Sequence, residues 1–532
     1  MSRLITGMLV LTALVLMGCG GTATPEGAPE PQKPEIKWFS GGVEEAFAFA
    51  KEAGKPVFLY WGAEWCPPCH NLKKNIFSKP EFIEASRRFV PVYLDGDTER
   101  AQIWGEKFTI AGYPTVILFS PTGVELYRMP TDVTAEQYGV LLEAVVADFE
   151  PVGEILGRLA ISGPSGADEL DLELVAYHSW SQDQSVEIDR GELTQLFWRL
   201  FDETPVESDR LRARFMALTV EHAVPRLGVV REIYGEGELG ELDDVQRAAL
   251  RSGLMSLLGD PELWPENKIF LTLQTRSAIE VLEPEPSAGR DELVQAWLSA
   301  AVEMQNHPRF SATEQLMAFV PEFELLGYQG HVEGEPVPDA LRDKVQTRAE
   351  RVVAEASDPG EFQSTLNMTV WLLQMAGLGD QAKTLLDEHL DETVAPHYFL
   401  SLLGDLNADN PEVALDWYRQ AFEQAGTGSS GIKWGTTYVL RLIQLTPDDS
   451  SAIDQASRRL MSLMVSNEDA FAGRNFVYLG QLEAALKKWA AETGNDDVID
   501  GLRSTISDEC DRFEADLDPA QVDRCLAFLA ES

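Results

Sequence analysis

Residues 55–77 read KPVFLYWGAEWCPPCHNLKKNIF. Pro56 opens a run of strand formers, Val57 to Gly62, and the chain then meets Cys66 and Cys69 on either side of two prolines, at the head of a helical pattern. A cysteine pair of this spacing carries chemistry when it sits at a strand-to-helix junction. Unpaired N–H groups and the macrodipole at a helix start stabilise a thiolate, so Cys66 is the expected attacking sulfur. Cys69 lies one turn further on, within reach to attack a mixed disulfide and release a reduced client. Pro67 and Pro68 fix φ in the first turn and remove donors that would have had no partner.

The same alternation extends in both directions. An amphipathic helix is expected at Val43 to Ala53, ending at Gly54. Beyond the cysteines come strands at Phe89 to Leu94, Thr115 to Ser120 and Val124 to Arg128. Helices are expected at Thr98 to Lys107 and Thr134 to Phe149. Residues 36–150 therefore read as an α/β domain.

The combination of WCPPC with Gly112-Tyr113-Pro114-Thr115 some way downstream resembles the thioredoxin family. The stretch from Lys55 through Cys69, followed by NIFSKPEF, is most similar to the soluble thioredoxin-like end of bacterial transmembrane electron importers and their periplasmic relatives. The resemblance implies a cis Pro114 beside the cysteine pair, with Trp65, Tyr113 and Thr115 shaping a client groove. It also implies disulfide-containing protein clients and an outside electron donor in the membrane. One departure stands out. The family usually carries a buried carboxylate six residues before the first cysteine, where this chain has Tyr60; Glu64 is the available candidate for proton transfer, at a more exposed position. His70 reads as a solvent-facing helix residue whose charge would favour the thiolate. No second Cys-x-x-Cys or His-x-His completes a metal site, so neither metal nor cofactor is expected.

At the N-terminus, Arg3 precedes an apolar run from Leu4 to Met17, then Gly18 and Cys19. Fourteen apolar residues span about 21 Å, short of a hydrocarbon core of about 30 Å, so the run reads as a signal peptide over residues 1–18. Leu16-Met17-Gly18-Cys19 resembles the bacterial lipoprotein signal, which implies a lipidated Cys19 that holds the protein on the outer side of a membrane. Residues 19–35 are rich in Gly, Pro and Ala and read as a flexible tether.

Past Glu150 the strand signals stop. Residues 151–357 read as helices of uncertain period, and residues 358–532 as tetratricopeptide-like hairpins. Ala382 and Ala414 fall in corresponding places 32 residues apart, near the 34-residue period of such repeats. Further units are expected at residues 445–464 and 477–494. Cys510 and Cys525 flank Asp516-Leu517-Asp518-Pro519, where Asp518 reads as an N-cap and Gln521 as its capping-box partner. Two helices hinged there would set the cysteines opposite each other as a structural disulfide. Gly235 to Gly240 matches a dinucleotide pattern literally, but its two glutamates oppose a pyrophosphate, and it reads as an acidic loop.

Composition sets the outer bounds. A chain of 532 residues holds roughly three to five domain-sized units. Its 87 acidic against 43 basic residues, a net charge of -44, exclude a nucleic-acid backbone as partner. The helical body carries most of this excess, with 68 acidic and 30 basic residues over 151–532. The expected protein is a membrane-tethered thiol-disulfide oxidoreductase whose helical body binds clients. The competing reading is a scaffold or chaperone-like protein that uses its α/β domain for docking.

Overall fold

In the central strand, β1 (Val57–Gly62), all six residues are buried. Successive side chains of a strand point to opposite faces, so a strand buried throughout needs cover on both sides. On one face Val57, Leu59 and Trp61 pack with Ala46 and Ala50 of α1 (Val43–Ala53) and Ala101 of α3 (Ala101–Lys107). On the other, Phe58 and Tyr60 pack with Leu72 of α2 (Pro67–Leu72) and with Tyr138 and Leu142 of α4 (Ala135–Asp148). β1 pairs in parallel with β2 (Val90–Asp95) and antiparallel with β3 (Thr115–Phe119), which pairs antiparallel with β4 (Glu125–Arg128), giving the order β2-β1-β3-β4. α1 closes on Gly54 in the left-handed region, φ 65°, where a residue without Cβ meets no steric penalty. The helix expected from Thr98 begins only at Ala101, because Arg100 takes φ 64° and Thr98 is held in a turn by Asp95 O.

The computed structural model describes residues 35–183, 188–226, 239–356, 358–510 and 519–530. The signal peptide, the lipidation site at Cys19, residues 19–34 of the tether, Asp518 and most of the 235–240 loop lie outside the described residues. Among the described residues no helix is long and apolar enough to cross a membrane.

From Val152 onward the described chain is helical. Its later part runs as consecutive helix pairs: α5 (Pro359–Met375) with α6 (Gly379–His389), α7 (Pro396–Leu406) with α8 (Pro411–Gln424), α9 (Ser429–Leu445) with α10 (Ser450–Met464), and α11 (Gly473–Thr493) with α12 (Asp496–Ser507). A last helix, α13 (Pro519–Ala527), follows. Ala382 and Ala414 are both fully buried. The sequence reading overlooked α9 and so missed the pairing of its unit: 450–464 is the second helix of a pair, not a hairpin of its own.

The α/β domain meets these helices in two different ways. With residues 152–310 it shares one apolar core that runs from Phe58 and Tyr127 through Trp180 and Phe215 to Trp297. A charged joint is set into that core. Arg128 is fully buried, and its guanidinium donates to the carbonyls of Phe108 (2.7 Å) and Gln182 (2.6 Å) and pairs with Glu125 at 2.7 Å. A buried charge survives only when it is paired and hydrogen-bonded in this way. The helix pairs have apolar clusters of their own, one from Leu316 to Leu403 and one from Phe422 to Leu529. They reach the α/β domain through polar contacts. Asp469 accepts from the Gln102 N–H at 2.7 Å, Gly473 N–H donates to Glu106 at 2.8 Å, and Arg524 grips both oxygens of Glu106 at 2.6 and 2.7 Å.

Cys510 and Cys525 are fully buried and form a disulfide, with Cα atoms 5.7 Å apart. The capping box expected of Gln521 involves Asp518 and so falls outside the described residues. Gln521 itself is buried toward the helix pairs, accepts from Phe471 N–H at 3.1 Å and donates to Glu468 O at 3.0 Å.

Two outcomes are expected. Replacing both cysteines with serine removes a 15-residue closure and destabilises this end of the chain by about 3 kcal/mol; hydrogen exchange at the α12 and α13 amides should speed up, and unchanged protection would contradict the staple. The second concerns Asp469, whose carboxyl is pushed up to about 7 by burial and then by Glu99 and Asp97. A raised carboxyl stabilises the fold below its unfolded value, and that contribution is lost as pH rises through about 7. Thermal stability should therefore fall from pH 5 to pH 8 more steeply in the native chain than in Asp469→Asn, and parallel curves would refute the assignment.

Candidate active site

β1 delivers the chain to Cys66, which is the N-cap of α2 with extended backbone, φ -84° and ψ 110°. Its Sγ accepts the Cys69 N–H at 3.2 Å, so the sulfur fills the capping place that a Ser or Asp side chain usually takes. Pro67 and Pro68 occupy the first two helical positions. The two cysteines form a disulfide with Cα atoms 5.2 Å apart. The same Cys69 N–H that caps the sulfur here would stabilise a Cys66 thiolate in the reduced form.

Two of the expected groove residues lie against this pair. Trp65 and Tyr113 pack against the small cluster of Ala63, Cys66 and Cys69, with their ring centroids 4.9 Å apart. The Tyr113–Pro114 peptide is cis. Pro114 and Thr115 are buried. Gln182, from the helical region, donates to Pro114 O at 3.2 Å and lies 3.0 Å from the Thr115 hydroxyl. No cluster of three or more His, Cys, Asp or Glu able to hold a metal ion occurs among the described residues.

The acid positions differ from one another. Glu64 is exposed. Tyr60 is buried, its ring stacked on Tyr93 at 5.1 Å, and its hydroxyl has no hydrogen-bond partner among the described residues. Burial pushes the Tyr60 phenol far above its ordinary range, so it supplies no base at neutral pH. Asp95 is one half-buried acid at this end of the sheet, in register with Gly62 and bonded by the Tyr93 hydroxyl at 3.2 Å. Burial raises its carboxyl. Sequence reasoning passed over Asp95, although its place at the end of a strand beside the one leading to Cys66 was a usable signal.

His70 is not solvent-facing. It is half-buried against Gly360 of α5, and its Nε2 lies 2.6 Å from Glu64 O. A carbonyl only accepts, so Nε2 carries the proton. Burial lowers the pKa of the imidazole, and at neutral pH it is an uncharged brace for the loop from Glu64 to Cys69 rather than a cation beside Cys66.

The two cysteines are buried, while Glu64 and Pro68 beside them are exposed. Cys66 is 1% exposed and Cys69 0%. The first helix of each consecutive pair contributes a contact. From α5, Ser364 donates to Pro67 O at 3.2 Å, and Lys74 pairs with Glu361 at 2.7 Å. From α7, the Tyr398 ring lies parallel to Trp65 at 6.2 Å. From α9, Ser430 donates at 2.8 Å to the same Asp97 oxygen that accepts the Trp65 indole N–H at 2.7 Å. From α11, the Arg474 guanidinium sits 5.2 Å from the Tyr113 ring and 5.8 Å from Trp65, within cation–π range. Trp65, the expected client-facing residue, therefore faces the chain's own helices.

Comparison with known proteins agrees with this geometry. A family model described as a thioredoxin-like domain matches residues 43–145. A thioredoxin-related protein DsbJ of Chlamydia pneumoniae is 30% identical over 117 residues, covering 20% of this chain and 33% of that protein. A thiol:disulfide interchange protein DsbD 2 of Pseudomonas aeruginosa is 27% identical over 85 residues, 16% of this chain and 14% of that protein. A rice H-type thioredoxin, from Oryza sativa subsp. indica, is 36% identical over 77 residues, 14% of this chain and 57% of that protein. The chain thus spans less than two thirds of the length of each of these relatives. Its cysteine pair belongs to a thioredoxin-like domain at residues 43–145, carried on a chain that is otherwise largely helical.

Proposed function

We propose that this chain is a thiol-disulfide oxidoreductase that reduces protein disulfides outside the cytoplasm, held to a membrane by lipid on Cys19. The observation that carries the reading is the capped cysteine pair: Cys66 Sγ at the head of α2 with the Cys69 N–H 3.2 Å away, beside the cis Tyr113–Pro114 peptide. The names of the relatives support it, since they describe thiol:disulfide interchange and thioredoxin-related proteins. In the reduced protein the Cys66 thiolate attacks one sulfur of a client disulfide, and the other leaves as a thiolate. Cys69 then loses its proton and attacks Cys66 Sγ, which frees the second client sulfur. The client gains two electrons and is released as two thiolates, which take up the proton lost by Cys69 and one from solvent, and the chain is left with the Cys66–Cys69 disulfide. A membrane electron donor restores the dithiol. Asp95 is positioned as a half-buried acid at this end of the sheet, in the absence of a carboxylate at Tyr60.

The helix pairs are read as tetratricopeptide-like, and the client-binding role expected of them is retained as part of the proposal. One observation favours the second reading, a scaffold in which the domain serves for docking: the cysteine pair is buried, and α5, α7, α9 and α11 contact Pro67, Trp65, Asp97 and Tyr113 around it.

Insulin reduction by the full chain separates the two readings. The oxidoreductase reading expects Cys66→Ser to abolish turnover and Cys69→Ser to accumulate mixed disulfides with envelope proteins; full turnover in Cys66→Ser, or an empty trap in Cys69→Ser, would sink it. For the tether, Cys19→Ala should move the protein from the membrane fraction to the soluble one, and unchanged sedimentation would exclude a lipid anchor at that residue.

A further inference from the structure

We infer that the helix pairs from α5 to α11 form a separable cover, fitted to the Cys66–Cys69 face, and that a client reaches Cys66 only when this cover lifts. Three observations carry the inference. The first is the kind of contact. Residues 152–310 share an apolar core with the sheet, but the helix pairs keep their hydrophobic clusters to themselves and touch the redox face through hydrogen bonds, ion pairs, cation–π contacts and the stacking of Tyr398 on Trp65. Polar interfaces of this type between parts of one chain come apart more readily than a shared core.

The second is the fit. Three covering helices carry a glycine within one residue of their start, pressed against the α/β domain. A Cβ at Gly360 would stand 2.6 Å from the His70 ring, one at Gly473 would stand 2.7 Å from Gln102 O, and one at Gly428 would collide with the Asp97 carbonyl. Gly360 and Gly428 have no positive φ that would demand glycine. Their lack of a side chain is explained by the close approach itself.

The third is the latch. Glu106 on α3 is held by both arms of Arg524, one residue before Cys525, and by Gly473 N–H. The guanidinium draws the Glu106 carboxyl below its ordinary range, as expected of a bound pair. The Cys510–Cys525 disulfide anchors the helix that carries Arg524, so the staple at the end of the chain also holds the latch in place.

The consequence for clients rests on Cys66 being the attacking thiol, as proposed above, and the test reads access rather than turnover. The full chain is treated with dithiothreitol and pulsed with N-ethylmaleimide, and labelling is followed peptide by peptide, with Cys510 and Cys525 scored separately. Native Cys66 should label at least tenfold more slowly than in the denatured chain. Gly428→Val, which wedges the cover, and Arg524→Glu, which breaks the latch, should each speed Cys66 labelling severalfold. Glu106→Arg combined with Arg524→Glu, which restores the pair with exchanged charges, should return the rate toward the native value. Native labelling as fast as in the denatured chain would overturn the cover. So would native-rate labelling in a folded Gly428→Val or Arg524→Glu chain, or a charge swap no slower than the single change. If labelling behaves as expected while no variant reduces insulin, the cover stands and the oxidoreductase reading falls.

Discussion

The structure hangs on a strand that has no solvent side. Because every residue of β1 is buried, the chain must supply apolar cover to both faces of the sheet, and it does so with α1 and α3 on one side and α2 and α4 on the other. That requirement places a helix directly after β1, and since Pro67 and Pro68 carry no N–H, the first donor of that helix, Cys69 N–H, falls against Cys66. The reactive position is thus a by-product of sheet burial: the strand is spent, the helix begins, and its capping site is filled by sulfur.

Packing beyond the sheet divides according to its chemistry. Apolar fusion with residues 152–310 leaves one side of the α/β domain without freedom to move, and the fully buried Arg128 adds a joint that would be expensive to open. On the redox side the contacts are aromatic, cationic and hydrogen-bonded, and none is a shared apolar cluster among the described residues. The acidic excess of the helical body makes Lys433 and Arg474 conspicuous there. Both lie within cation–π range of Trp65, and so place positive charge against the indole beside Cys66. Burial also explains why His70 brings no charge to the site: under α5 its neutral form is the favoured one.

Much of the α/β domain was legible in the chain because its signals are local. The strand at Val57–Gly62, the helix at Val43–Ala53 and the turn into Glu125–Arg128 follow from alternation, capping and Gly/Pro punctuation. The cis peptide at Pro114 followed only from resemblance. α9 was missed because it opens Ser429-Ser430-Gly431 and contains Gly435, residues that read as a loop until tertiary contacts bury them. The cover over the site was illegible for a different reason. Trp65 and Tyr398, or Glu106 and Arg524, are hundreds of residues apart, and a polar helix face docked on another domain has the same pattern as one facing water. Glycines at the starts of helices, Gly360, Gly428 and Gly473, were the available clue, but each also reads as an ordinary helix boundary.

The central claim is that, on the proposed chemistry, the head of α2 favours the Cys66 thiolate over the thiol relative to a free cysteine. It is tested most directly by following thiolate absorbance near 240 nm as the reduced full chain is titrated, with Cys66→Ser as the blank and the Cys510–Cys525 disulfide intact. The account predicts a single thiolate, absent from the blank, with a midpoint below the value of about 8.5 for a free cysteine. A midpoint at or above that value, or an identical curve in Cys66→Ser, would contradict it.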